Sequence, residues 1–336
     1  MAPTEHPEQV QSVIESYLLD GTRHYSRNDV AARSSSTTEL TKRLWTALGF
    51  PAGLDDDAID YTEADVTAVR EFGALNVLAS ADSRRQAATA RTLGQGMARL
   101  AEWQVDLVLA EITERIAQAG PDADPAATMR TATEGAIATI ERLNVYAWRR
   151  HLAAALARSL DSENTAGESV RDLAVGFADM VGYTRLTRHL HPDELSMLLE
   201  AFESTTTAAI TENGGWVIKN VGDEVMFAAE SAADAARIAL SIQDSTMMVG
   251  GTPELRVALA YGPVLQRFGD LYGSVVNIAA RLTGVARPGT VLIDDEAAGQ
   301  LEGAGFSIRH LRSVRVRGFN RLRPHVLRRN GKSKDR

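Results

Sequence analysis

Two aspartates attract attention first, because each stands where an apolar segment gives way to a turn. Asp179 follows the run LAVGFA, and Asp223 follows Gly222 between the runs WVIKNV and EVMFAA. If these segments are neighbours in one sheet, both carboxylates emerge at the same edge. Mg2+ takes a few carboxylate oxygens and keeps phosphate and water oxygens for its other positions. Two such ions can activate an attacking oxygen and stabilise a leaving one. Each aspartate taken singly also fits a plainer part, Asp179 as a helix N-cap and Asp223 as a turn residue. Three further features accompany the pair. Gly182, Tyr183 and Thr184 form a small turn leading into a helix, whose unpaired N–H groups suit a phosphate chain. Lys219 interrupts an apolar strand four residues before Asp223, where the solvent face of an edge strand is the ordinary explanation. Asn277 and Arg281 are four apart and share a helix face, with Val276, Ile278 and Leu282 turned elsewhere.

These residues need a scaffold, and the second half of the chain supplies its pattern. LAVGFA (173–178) reads as a buried strand, and a helix from about Pro192 to Glu212 closes at Gly214-Gly215. Gly222-Asp223 between two apolar runs predicts a type II′ hairpin. Ser231 with Asp234 is a capping box before another helix. LRVALAY, a helix from about Ser274 to Val285, and the strand TVLID complete the core pattern. The order strand, helix, hairpin, helix, strand, helix, strand predicts an α+β domain, an antiparallel or mixed sheet with helices packed on one face.

The first half has a different texture. Leu40, Leu44, Trp45 and Leu48 recur at helical spacing before Gly49-Phe50-Pro51. Thr62 and Asp65 cap a helix carrying Val66, Val69 and Phe72. Helical stretches follow over about 84–118 and 125–160, separated by Gly120-Pro121-Asp122. The expected organisation is a helical domain over 1–160 ending in a linker helix, an α+β domain over 161–330 opening on the linker DSENTAGES, and a tail over 331–336.

Composition sets outer limits. The 336 residues are 44% hydrophobic, with no cysteine and a formal charge of −8. That charge argues against nucleic acid as a partner. No apolar run approaches the roughly 20 residues of a transmembrane helix, and MAPTEHPEQV is too polar for a secretory signal. A cytoplasmic protein is expected.

Taken in order, FADMVGYT, KNVGDEVMF and GDLYGSVVNIAARL resemble the signature of the class III nucleotide cyclases, over about 172–330. That resemblance implies a ferredoxin-like, polymerase-palm-like catalytic domain that works as a homodimer on ATP or GTP. It implies two divalent ions per active site, Mg2+ or Mn2+, on Asp179 and Asp223 with the Met180 carbonyl as a further ligand. Lys219 and Asp270 match the pair that reads adenine: a lysine donor meets N1 and an aspartate accepts from the exocyclic amine. Guanylate cyclases typically carry Glu and a small or Cys residue there, so the pair favours ATP and an adenylate cyclase. Asn277 and Arg281 match the residues that position the ribose and stabilise charge at the α-phosphate. Where the family has a phosphate-contacting Lys, VRVRGFNRLRP offers Arg317, and Arg is not an equivalent donor.

The first half, through LTKRLWTALGFP, YTEADVTAVREF and RTLGQGMARLAEWQVD, resembles the N-terminal regulatory domain of actinobacterial adenylate cyclases. This implies pH-dependent autoinhibition and a fatty acid or other lipid as a candidate ligand. His24, His151, His189 and His191 are the candidate titrating groups, and a dimerisation module without a sensor is the plainer alternative. The rival readings of the catalytic half are a degenerate cyclase-homology protein that binds nucleotide without turnover, a guanylate cyclase, and a diguanylate cyclase. The last lacks its full Gly-Gly-[Asp/Glu]-Glu-Phe pattern.

Overall fold

The computed structural model describes residues 14–19, 21–120, 123–161, 169–248, 253–316 and 319–330. The chain divides into two compact units, Met1–Ser162 and Glu163–Arg336. No described helix is long and apolar enough to cross a membrane.

The first unit is helical. Helix α1 covers 14–18, followed by α2 (Arg27–Arg33), α3 (Thr38–Leu48), α4 (Glu63–Ala74), α5 (Asn76–Ala79), α6 (Ser83–Gln118) and α7 (Pro125–Asp161). The caps explain the boundaries. Ser26 and Asp29 form a capping box for α2, Thr62 and Asp65 do so for α4, and Gly49 ends α3 in the left-handed region at φ 92°. Val30, Trp45, Tyr61, Val66 and Val69 pack into a small core. Beside it Arg27 is 1% exposed, donating to the Tyr61 hydroxyl (3.1 Å) and the Gly53 carbonyl (2.8 Å) and paired with Asp56. The two long helices meet through paired amides, Gln104 and Asn144, which exchange hydrogen bonds of 2.8 and 3.3 Å. Much of their apolar surface is uncovered: Trp148, Leu152, Leu156 and Leu160 follow one another at four-residue spacing on α7 and are 51–75% exposed.

The second unit is built as β1 (Ser169–Met180), α8 (Tyr183–Leu186), α9 (Pro192–Glu212), β2 (Trp216–Val221), β3 (Glu224–Ala229), α10 (Ala232–Met248) and β4 (Leu255–Arg267). These strands lie in the order β2-β3-β1-β4, and each adjacent pair is antiparallel. That is the split β-α-β arrangement of a ferredoxin-like fold. Then come β5 (Asp270–Tyr272), α11 (Ser274–Val285), β6 (Thr290–Ile293), α12 (Asp295–Gln300), β7 (Phe306–His310), β8 (Val314–Val316), β9 (Phe319–Leu322) and β10 (His325–Arg329). They extend the sheet as β4-β6-β10-β7, with β6 parallel to β4, while β8 and β9 form a separate hairpin.

The expectation of helices on one face needs correction. Ala174, Ala178 and Met180 face a core with Phe202 and Ile210 of α9, Ile238 and Ile242 of α10, and Ala297 of α12. Leu173, Val175 and Phe177 face the opposite way, onto Val275 and Ala279 of α11. A strand buried on both faces has no reason to alternate polar with apolar residues, and the unbroken run LAVGFA is the sequence trace of that. Gly176 is needed where it stands, because a Cβ there would come within 2.1 Å of the Phe227 ring lying across it.

Candidate active site

The site begins at the ends of β1 and the β2–β3 hairpin. Gly222 takes φ 60° and Asp223 does not take a positive φ, as the two-residue turn requires. The Met180 N–H donates to the Asp223 carbonyl at 3.0 Å, which locks the hairpin tip against the end of β1. Asp179 therefore stands beside Asp223, directly opposite Glu224 on β3 and Arg256 on β4. Partial burial raises the Asp179 carboxyl above the ordinary aspartate range, the charge of Asp223 adds to this, and Arg256 opposes it. Glu224 is raised for the same reasons, by burial and then by Asp179 and Asp223, against the pull of Lys219. These carboxylates repel one another, and a divalent cation would relieve the repulsion. Two aspartates and a main-chain carbonyl are a hard oxygen set of the kind Mg2+ or Mn2+ takes. Among the described residues no group of three or more acidic or histidine side chains forms a metal cage. Such a pair leaves coordination positions for substrate oxygens.

The turn after β1 places Gly182 in the left-handed region at φ 77°, and α8 is a single turn of four residues. Tyr183 packs against the main core, and its hydroxyl lies 4.0 Å from where a Cβ on Gly222 would stand. Thr184 is exposed. The three residues thus border the hairpin tip that carries Asp223.

Lys219 reaches the α11 side of the sheet because of an irregularity. The β2–β3 register shifts between Val217 and Lys219, so that Lys219 pairs with Met226. A bulge of this kind re-aims a side chain. Both Ile218 and Lys219's partner Met226 belong to the cluster under α11. From there the Lys219 ammonium donates to Asp270 Oδ2 at 2.7 Å, while Asp270 Oδ1 accepts from the Leu271 N–H at 2.9 Å. Asn277 and Arg281 lie on the exposed face of α11, whose other face buries Val275, Ala279, Leu282 and Thr283. No hydrogen bond or ion pair among the described residues joins either of them to Asp179, Asp223, Lys219 or Asp270. Arg317 lies outside the described residues.

Two neighbours of the acidic pair escaped the sequence reading. Glu224 follows Asp223 directly and reads as an ordinary polar start to a strand. Arg256 is the one charged residue in LRVALAY, a signal that was available, and its buried Nε has no hydrogen-bond partner in the structure. Of the histidines, His191 is the N-cap of α9, its N–H donating to Glu194 at 2.8 Å, and His24 meets the Thr22 hydroxyl at 2.9 Å.

Fold and site together define a nucleotide cyclase of class III. Residues 166–329 match the family described as the adenylate and guanylate cyclase catalytic domain. An adenylate cyclase of Streptomyces coelicolor is 38% identical over 89% of this chain and 77% of its own length. An adenylate cyclase of Glutamicibacter nicotianae is 32% identical over 97% of this chain and 84% of its length. A pH-sensitive adenylate cyclase of Mycobacterium tuberculosis is 28% identical over 93% and 82%. The chain belongs to the class III nucleotide cyclase family.

Proposed function

We propose that this chain is an adenylate cyclase that converts ATP to 3′,5′-cyclic AMP and pyrophosphate in two shared sites of a homodimer. One observation supports the shared-site reading: a single chain carries both the acidic pair and Asn277 with Arg281, and no hydrogen bond or ion pair among the described residues joins the two sets. The acidic pair ends β1 and the β2–β3 hairpin, whereas Asn277 and Arg281 look outward from α11 with no link to it. A two-fold pair of chains brings one set against the other twice.

The ribose 3′-oxygen attacks the α-phosphorus, the bond to the β-phosphate oxygen breaks, pyrophosphate leaves, and the hydroxyl proton passes to solvent. Lys219 donates to adenine N1 and Asp270 accepts from the exocyclic amine, so guanine, which presents a donor and an acceptor in the opposite order, is mismatched. Asn277 holds the ribose. Arg281 offers its planar fork to the α-phosphate oxygens as charge gathers on them. Two divalent cations, Mg2+ or Mn2+, held by Asp179, Asp223 and the Met180 carbonyl, would acidify the 3′-hydroxyl and neutralise the phosphates when bound. Gly182, Tyr183 and Thr184 border the same edge for the phosphate chain, and Arg317 supplies a further cation. Most of the acceleration then comes from positioning and charge stabilisation.

The first unit is the dimerising and pH-regulatory part of this reading. Support comes from the apolar seam on α7 and from likeness to the pH-sensitive enzyme of Mycobacterium tuberculosis. The fatty acid or lipid ligand has no such support.

The decisive experiment mixes Asp179→Ala chains with Arg281→Ala chains. Each alone is inactive, and the heterodimer regains one intact site of its two. No recovery, with heterodimers demonstrated, removes the shared-site model.

A further inference from the structure

The last two strands of the main sheet carry a cluster that the catalytic reading does not use. His310 ends β7 and His325 begins β10, and the two are direct partners in the antiparallel ladder. Their Nδ1 atoms are 2.7 Å apart, with the rings edge to face at 4.6 Å between centroids. On its other side, His325 Nε2 meets Asp295 Oδ1 of α12 at 2.7 Å. His325 is 4% exposed, so both its ring nitrogens find partners inside the protein. The next rung, Leu311 N–H to the Pro324 carbonyl at 3.0 Å, completes a neck. What leaves that neck is the β8–β9 hairpin. Residues 311–324 contain five arginines and no acid, and the described ones, Arg312, Arg315, Arg321 and Arg323, are all exposed.

We propose that His310, His325 and Asp295 act as positioning residues, a proton-dependent clamp that seats this basic hairpin. An Nδ1···Nδ1 contact needs one N–H between the two nitrogens. With both rings neutral, His325 donates from Nε2 to Asp295 and accepts at Nδ1 from His310. With one proton added, His325 is an imidazolium that donates at both ends, and His310 turns to its other tautomer and accepts. Both hydrogen bonds survive, and the one to Asp295, already made to a carboxylate, becomes an ion pair whose histidine side is buried. A second proton sets N–H against N–H and breaks the contact. One added proton therefore tightens the neck, and a second opens it.

The surroundings leave Asp295 as the partner that matters. From β6 the residue paired with His325 is apolar Ile293. The other acids nearby in sequence are Asp294, the N-cap of α12, and Glu296. Asp294 is turned inward, accepting from the Ala297 and Tyr261 N–H groups at 2.9 and 3.3 Å. Arg309 of β7 pairs with Val326 and so faces the opposite side of the sheet from His310. On α10, Asp244 is engaged by Arg329 at 3.0 Å, at the far end of β10. The hairpin itself rests on the sheet through Leu322, Leu311 and Val314 against Leu292 and Val326. A firm neck then fixes where its arginines stand, which matters if, as in the function proposed above, they meet the polyphosphate of ATP.

Amide hydrogen exchange on the full-length protein tests the clamp without nucleotide. After correction for intrinsic rates, protection of 311–316 and 319–323 should be about two- to fivefold higher at pH 6 than at pH 8, the worth of an ion pair with one exposed partner. His310→Asn, at an exposed position that keeps the fold, should abolish the difference, as should Asp295→Asn. Asp294→Asn should keep it. Protection independent of pH in the unaltered protein, or a response that survives His310→Asn, overturns the clamp. The KM for ATP, measured at both pH values, should worsen on going from pH 6 to pH 8 more in the parent than in His310→Asn. Should exchange respond while KM does not, the clamp stands and the polyphosphate role of the hairpin falls.

Discussion

The Lys219 ammonium donates to Asp270 Oδ2 across 2.7 Å, joining β2 to β5 over 51 residues of sequence. The two side chains are 42% and 30% exposed, so the pair is screened and contributes on the order of 1 kcal/mol or less to stability. That small value matters for the proposed base reading, because a purine that replaces the contact with two hydrogen bonds of its own has little to displace. Either residue changed to Ala should leave thermal stability nearly unaltered. It should lower kcat/KM for ATP by about 10- to 100-fold, the effect of one charge-assisted hydrogen bond lost in a closed site. Lys219→Glu with Asp270→Cys should raise the ratio of GTP to ATP turnover. A double variant that folds and keeps its parent's ATP preference would place base reading elsewhere.

Asp223 should be worth more to catalysis than to the fold. Burial first, and then the charge of Asp223, raise the Asp179 carboxyl, and the second contribution is repulsion between the two. Asp223→Asn removes that repulsion, so the metal-free protein should melt about 1–2 °C higher while cyclic AMP formation is lost. Mn2+ should raise the melting temperature of the parent by mass action and leave that of the variant nearly unmoved. An equal Mn2+ response in both proteins would place cation binding away from this edge.

Much of this edge could be read from sequence because local chemistry specifies it. Gly222-Asp223 sets the turn, and the turn sets the register that brings Asp223 beside Asp179. The helix bounds of α9 and α11 follow from Pro192 and the glycines at 214 and 273 in the same way. What was not legible depends on geometry between distant segments. Lys219 owes its direction to a bulge, and an apolar strand with one Lys looks the same with or without it. The helix α11 sits on the opposite face from α9 and α10, although nothing in its own amphipathic pattern says which side of a sheet it will cover. His310 and His325 meet because β7 and β10 are in one particular register, and two surface-like histidines give no hint of it.

Gly176 and Gly222 separate two uses of glycine, and substitution should tell them apart. At Gly176 an added Cβ would lie 2.1 Å from the Phe227 ring, in the middle of the sheet that positions Asp179. Gly176→Ala should cost about 1–3 kcal/mol through overpacking, read in denaturant unfolding. Gly222→Ala has room, its nearest neighbour being the Tyr183 hydroxyl at 4.0 Å, but keeps φ at 60°. Its cost is the left-handed backbone alone, about 1–2 kcal/mol. No loss at Gly176 would contradict the packing account.

Asp294 ties stability to pH. Burial pushes its carboxyl from 3.8 up to about 6, although it accepts backbone hydrogen bonds as the cap of α12. A carboxyl raised on folding favours the folded state in its protonated form. This contribution is complete below about pH 4 and is lost as pH rises through about 6. Asp294→Asn keeps a capping side chain and removes the titration. Between pH 4.5 and pH 7.5, the melting temperature of the parent should therefore fall relative to that of the variant. Parallel curves would mean that the ionised carboxylate is as well accommodated as the acid.

The α7 seam leads to a prediction about assembly. Trp148, Leu152, Leu156 and Leu160 recur every four residues and stay 60%, 51%, 56% and 75% exposed. An α-helix gains nothing from showing such a stripe to water, whereas covering one Leu is worth about 1.5–3 kcal/mol. A twin helix supplies the matching stripe from the same residues, as a two-fold interface requires. Leu152→Glu with Leu156→Glu places charges in the middle of that contact and leaves the buried residues of the first unit untouched. Analytical ultracentrifugation should show the mass of one chain where the parent sediments as two. Activity should fall in proportion to the dimer lost and recover at high protein concentration, because in the proposed shared sites neither half works without its counterpart. A fully active monomer would refute both the seam and the shared sites; an active dimer would refute the seam alone and move the contact to another surface.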